Sequence, residues 1–151
     1  MSNLIDTFQI HNRINLYLLE AIDDAHLQDI STAKGRNVGE QWAHIHNVRL
    51  MWLKAAAPNL LEGLTKIEKE AITKPLLQKE LIKSGKAIEQ LLEIAQTTGR
   101  VKGFKPHPEA FVAYLVAHEA HHRGQIMLLL KLCGHAVSKS VMFGMWEWGT
   151  R

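Results

Sequence analysis

An all-helical fold is what this chain predicts, on three observations. Four segments repeat apolar residues at three- and four-residue steps, two of them open on clear start signals, and very little reads as strand. At 151 residues and 17.1 kDa, the chain suits a single domain, 1–151, built around one core.

The first helix is expected from about Leu4 to His26, where Ile10, Ile14, Tyr17, Leu18, Ala21 and Ala25 recur on one side. The polar stretch Asp29 to Arg36, with Gly35, breaks the pattern. The second helix opens on Asn37 as cap, with Glu40 three residues on to complete a capping box. Its inward stripe is expected to be Val38, Gln41, Ile45, Val48, Trp52 and Ala55, and Pro58 stops it. Residues 58–74 read as a connection with one short turn, because Gly63 and Pro75 interrupt any longer helix. The third helix is expected from Pro75 to about Ala95, with Leu77, Leu81, Ile88 and Leu91 facing inward. Gly85 lies inside it, where glycine costs about 1 kcal/mol against alanine, so a close neighbour is expected there. Pro108 and Glu109 are a first-turn signature for the fourth helix, which runs to Cys133 and ends at Gly134. The short C-terminal tail, 137–151, carries Trp146 and Trp148 and is expected to fold back on the helices, since such surface is costly to leave in water.

Composition narrows the functional classes. Hydrophobic residues at 46% and charged residues at 22% describe a globular rather than a disordered chain. No apolar run approaches the roughly 20 residues that span a bilayer, and no basic-then-apolar leader opens the chain. Cys133 is the only cysteine, so no internal disulfide forms, and a reducing cytoplasm is the expected compartment. The charge of +3 comes from basic residues spread along the chain with no run of five, which gives nucleic-acid binding little support.

Nine histidines are the compositional oddity. On a wheel of about 100° per residue, His118 and His122 fall in the middle of the apolar stripe of the fourth helix, with Phe111, Leu115, Leu129 and Cys133. Four apart, their rings project from one face, one turn apart. Burying two imidazoles unpaired costs roughly 1–3 kcal/mol for each orphaned group. Either backbone and buried-water hydrogen bonds or a metal at about 2.0–2.1 Å from each nitrogen resolves that cost. A third candidate ligand favours the metal. His44 lies at the edge of the buried stripe of the second helix, whereas His46 points roughly 150° from its centre and is expected in solvent. Three imidazoles from two helices leave further coordination positions open, as catalytic sites do.

Gln125 returns to the inward face one turn after His122, either as a group that orients a ligand ring or as an interhelical hydrogen bond. His121 is expected beside the ligands or exposed. Glu119 and Arg123, four apart, are expected to pair on an outer surface. His11 is read as a hydrogen-bonded core histidine, Cys133 as a small buried apolar residue. Val112, Val116, Met127 and Leu130 form a second apolar stripe on the fourth helix, either a dimer surface or a wider core contact.

The run His118-Glu-Ala-His-His122-Arg-Gly-Gln125-Ile126 resembles the HxxxHRGQ signature of the DinB/YfiT-like metalloproteins. The segment Trp42 to Val48 is similar to that family's first ligand region, Glu80 to Ile88 to its third helix, and Trp146-Glu-Trp148 to its C-terminal end. The resemblance implies a four-helix bundle with up-down-down-up connectivity, commonly a homodimer. It implies His44, His118 and His122 as ligands of a divalent metal ion, zinc or nickel first, with iron or manganese as alternatives. It further implies, for some relatives, transfer or isomerisation chemistry with a low-molecular-weight thiol.

The function expected from these residues is therefore a metal-dependent enzyme acting on a small-molecule substrate, by thiol transfer or hydrolysis. A bound Zn²⁺ lowers the pKa of its water from about 15.7 to near 7, or takes a thiol as its thiolate. The competing expectation is a non-catalytic, metal-stabilised stress-response or interaction protein in which the ion clamps helices two and four.

Overall fold

A computed structural model describes residues 2–151. Its regular structure among these residues is all helical: α1 (Asn3–Glu20), α2 (Val38–Ala56), α3 (Lys74–Thr98), α4 (Pro108–Leu132) and the short α5 (Lys139–Gly144). Single 3-10 turns stand at Asp24–Gln28, Pro58–Leu61, Lys69–Ala71 and Trp148–Thr150. None of the described helices is long and apolar enough to cross a membrane.

The helix starts obey local chemistry. The Asn37 side chain accepts from the Glu40 amide, and the Glu40 carboxylate accepts from the Asn37 amide, so the capping box is formed. Thr73 caps α3, and the ring of His107 accepts from the Ala110 amide ahead of Pro108 at the start of α4. Helix α1 ends at Glu20 rather than near His26, because Asp23 caps a separate turn through the Ala25 amide. Helix α3 runs on to Thr98, past the expected Ala95. Beyond α4, Gly134 takes the left-handed conformation (φ 81°) that stops a helix.

Helix α1 packs against α3 and α4, and α2 packs against the same pair. Their apolar side chains form two clusters. One gathers Ile14, Leu18, Trp42, Ile45, Leu77 and Ile126; the other gathers Phe8, Leu53, Ile88, Leu91, Phe111 and Leu115. Between them, in every long helix, sit buried polar residues: His11, Asn12 and Asn15 in α1, Arg49 in α2, Ser84 in α3 and Glu119 in α4. The expected close approach at Gly85 is real, since a Cβ there would collide with the side-chain amide of Asn12.

Several expected faces are displaced. In α2 the buried stripe runs Val38, Trp42, Ile45, Arg49 and Leu53, while Ala55 is exposed and Val48 half-buried. Val112 and Leu130 are buried and Val116 and Met127 pack on the core, so the second stripe of α4 is core contact. Helix α4 is covered from two sides by α1 and α2, which an isolated wheel does not show. The tail folds back only in part: Trp148 packs on the first cluster, but Trp146 is 79% exposed. Cys133 is partly buried and its thiol faces the Ile30 carbonyl, so it is less enclosed than expected.

Candidate metal centre

Helix α2 delivers His44 and α4 delivers His118 and His122 to one point on the first-cluster side of the polar layer. One nitrogen from each ring lies within 4.8 Å of the others. The ring centroids stand 4.6 Å (His44–His122), 4.7 Å (His118–His122) and 5.4 Å (His44–His118) apart. His122 is buried, and the other two are half-buried, leaving one side of the cluster open.

Hydrogen bonding fixes which nitrogens face the cluster. His122 Nδ1 donates to the Gln41 amide oxygen at 2.5 Å, which leaves the Nε2 lone pair free. That Nε2 stands 3.2 Å from His118 Nε2. Two nitrogens each about 2.05 Å from one tetrahedral ion would be separated by about 3.3 Å, so this spacing fits a shared divalent cation. His118 Nδ1 is buried without a hydrogen-bond partner, so that ring finds its only polar neighbour on the side facing the cluster. Burial, first, holds all three below the usual histidine range, and neighbouring positive groups add to it; for His122, lowered to about 4, these are chiefly the His118 and His44 rings. They are neutral at pH 7, the form that binds metal. The residues present thus fit a divalent ion on imidazole nitrogens.

The neighbours differ from expectation. Gln125 is half-buried and lines a groove with Gln41 and Arg36, and no hydrogen bond joins it to a ligand ring. Gln41 from α2 orients His122 instead; its place on the buried stripe is legible in the sequence, its partner is not. His121 is exposed, with its ring set edge-on to His122 at 5.1 Å. His46, expected in solvent, is fully buried, and its Nε2 donates to the Thr65 carbonyl at 2.8 Å. The 58–74 connection folds over this face of α2, pinned by Asn47, which exchanges hydrogen bonds with the Ile67 backbone.

The largest correction concerns Glu119 and Arg123. Glu119 is fully buried rather than on an outer face. Its carboxylate accepts from Arg49 Nε and Nη2 (2.7 and 2.8 Å), His11 Nε2 (2.7 Å) and Asn15 Nδ2 (2.7 Å). Arg123 does not pair with it but donates to Asn15 Oδ1. The Arg49 charge and its hydrogen bonds overcome the burial of Glu119 and hold its carboxyl far below the ordinary carboxylate range. His11 is the core histidine expected, with burial keeping its pKa low.

This arrangement bears on the chemistry. His118-Glu119-Ala120-His121-His122 has the H-E-x-x-H spacing in which zinc proteases use the glutamate as general base. Here that carboxylate turns away into the core, charge-paired and closed to solvent. Glu119 is not positioned to take a proton at the metal centre.

Four long helices carrying an imidazole triad on two of them define an all-helical protein with a candidate divalent-metal centre. The chain belongs to the DinB family, whose family model matches residues 1–146. The crystal structure of a DinB-like protein from Bacillus subtilis has a similar fold, with a TM-score of 0.63 at 21% identity over 89% of this chain and 94% of that one. No functionally curated protein matches the chain.

Proposed function

We propose that this protein is a metal-dependent enzyme acting on a small molecule, by thiol transfer or hydrolysis, with His44, His118 and His122 holding the ion. The observation that carries the reading is the convergence of three neutral imidazole nitrogens on one partly open point. When bound, a divalent ion there supplies the Lewis acidity that makes water or a thiol nucleophilic near neutral pH. Gln41 sets the tautomer of His122, and the polar core behind Glu119 holds the helix that carries two of the ligands. With Glu119 withdrawn, no carboxylate of the H-E-x-x-H run serves as base, so the nucleophile is one that the ion itself would deprotonate, a thiol or a water.

The finer architecture in this reading is an up-down-down-up four-helix bundle forming one domain. It is supported by the order of the two clusters: α1 and α4 pass from the Phe8–Phe111 cluster to the Leu18–Ile126 cluster, and α2 and α3 run the opposite way. Exposed Phe143 and Trp146 in the C-terminal segment offer apolar surface for a homodimer.

The test is elemental analysis of protein purified without a histidine tag, followed by a screen of thiol-conjugation, amide and ester substrates. Stoichiometric metal and a metal-dependent turnover lost in a folded His122→Ala variant are expected. Turnover indifferent to chelation throughout the screen would overturn the enzymatic reading. The alternative is a non-catalytic protein whose metal clamps α2 to α4, favoured by ligands coming from both helices. It predicts a sharply lower melting temperature on chelation and no small ligand entering the metal's coordination.

A further inference from the structure

His44 lines one of two grooves that have a single residue in common, Arg36, and Gln41, which holds His122, lines the other. One groove, of about 340 Å³, runs past His44, Asn47, Lys66 and Lys69; the other, of about 370 Å³, runs past Gln41, Gln125 and Lys34; Arg36 borders both. Each is large enough for a small molecule. Arg36 is exposed, and no hydrogen bond or ion pair engages it among the described residues. The acids that line the first groove have other work: Glu40 closes the capping box of α2, and Glu68 stands 3.8 Å from Lys66.

The loop that carries Arg36 is held in an uncommon shape. Lys34 has φ 68°, a left-handed conformation that costs a non-glycine residue energy, and Gly35 follows at φ 96°. An uncommitted arginine bordering the site of a dication, with lysines on either side, would raise the positive potential there once the ion is bound. That potential favours an anion entering between the arginine and the ion.

We propose that the centre takes an anionic small molecule whose carboxylate is held by Arg36 while its donor atom turns toward the three histidines. The inference rests on the reading of the centre as an open metal site and names the substrate class it selects. A guanidinium suits this task because its fork matches a carboxylate bidentately. Lys69 and Lys34 raise the local concentration of anions without fixing their orientation.

The experiment uses Co²⁺-loaded protein, whose visible spectrum reports a thiol entering the coordination sphere. Two length-matched pairs are titrated: 3-mercaptopropionate against 3-mercaptopropanol, and 6-mercaptohexanoate against 6-mercaptohexanol. In one pair at least, the acid is expected to bind about tenfold more tightly than the alcohol, the worth of one charge-assisted contact. Arg36→Gln should abolish that preference and leave the alcohol's affinity unchanged, and Arg36→Lys should restore part of it. If the preference survives Arg36→Gln, or no acid outbinds its alcohol, the assignment to Arg36 falls and the open metal site stands. If neither acids nor alcohols perturb the wild-type spectrum, the inference and the open site fall together.

Discussion

Arg49 grips both oxygens of Glu119, Nε to one at 2.7 Å and Nη2 to the other at 2.8 Å, with both side chains fully buried. Its remaining donors reach Asn12 Oδ1, the Leu81 carbonyl and Ser84 Oγ, so all five N–H groups are used. One ion pair thereby ties α2 and α4 to α1 and α3 at the level that separates the two apolar clusters. A buried pair adds little net stability over a well-packed apolar core, but breaking it strands a charge.

Glu119→Gln should therefore destabilise the metal-free protein by about 3–5 kcal/mol, read from urea denaturation midpoints. The double variant Arg49→Met/Glu119→Leu should lose less than the sum of its single changes, because neither charge is then left alone. A protease of the H-E-x-x-H type would behave otherwise, keeping its fold and losing only turnover. An unchanged midpoint for Glu119→Gln would show that the pair is not the tie described.

Metal affinity should depend on Gln41 and not on Gln125. Removing a group that orients a ligand ring typically weakens binding about 10–100-fold. Gln41→Ala should show that loss in competition with a chromophoric chelator, while Gln125→Ala matches the wild type and His44→Ala no longer binds stoichiometrically. Equal effects from the two glutamine variants would contradict the tautomer control drawn from the His122–Gln41 hydrogen bond.

The His118–His122 pair is legible in the sequence because two histidines four apart on a helical apolar face are costly to bury without a common partner, whereas the α2 stripe sets His44 above His46 on a burial order that the fold reverses. The polar layer is not legible. A wheel places a residue relative to its own helix and cannot tell that α4 is covered on two sides, so Glu119 and Arg123 read as a surface pair. His46 is misplaced for a related reason, since the 58–74 connection that buries it has no periodicity from which to place it. Gly85 is readable as a close contact from helix propensity alone, although only the fold shows that the neighbour is Asn12.

Two glycines within helices should respond oppositely to alanine. At Gly85 the new methyl meets Asn12, whose Oδ1 accepts from Arg49 at 2.8 Å and cannot yield without loosening the polar layer. At Gly124 nothing lies within 4 Å of the added atom. Gly124→Ala should raise stability by about 0.5–1 kcal/mol through backbone entropy, and Gly85→Ala should lower it. Thermal denaturation of the two variants side by side checks the contrast, and a stabilised Gly85→Ala would mean that α1 and α3 do not approach as described.

Acid should weaken the protein in a defined order. His44, His118 and His122 are held below the unfolded histidine value of 6.5 by burial, His122 to about 4. Between those values the unfolded chain binds more protons than the folded one, so stability falls as pH drops through the window. Glu119 acts later: its carboxyl is depressed, so its contribution is present above the unfolded value of 4.5 and is lost only as pH falls further below that. Metal-free protein should thus lose stability from about pH 6.5 to 4, and metal should bind progressively less over the same range, because protons compete for the same nitrogens. Replacing the three histidines by glutamine should make the upper part of the stability curve shallower, without abolishing it, because burial lowers His11 and His46 too, and should leave the lower part. Denaturation midpoints at half-unit pH steps measure both, and an upper limb of unchanged steepness in the triple variant would place the titrating groups wholly elsewhere, at His11 and His46 first.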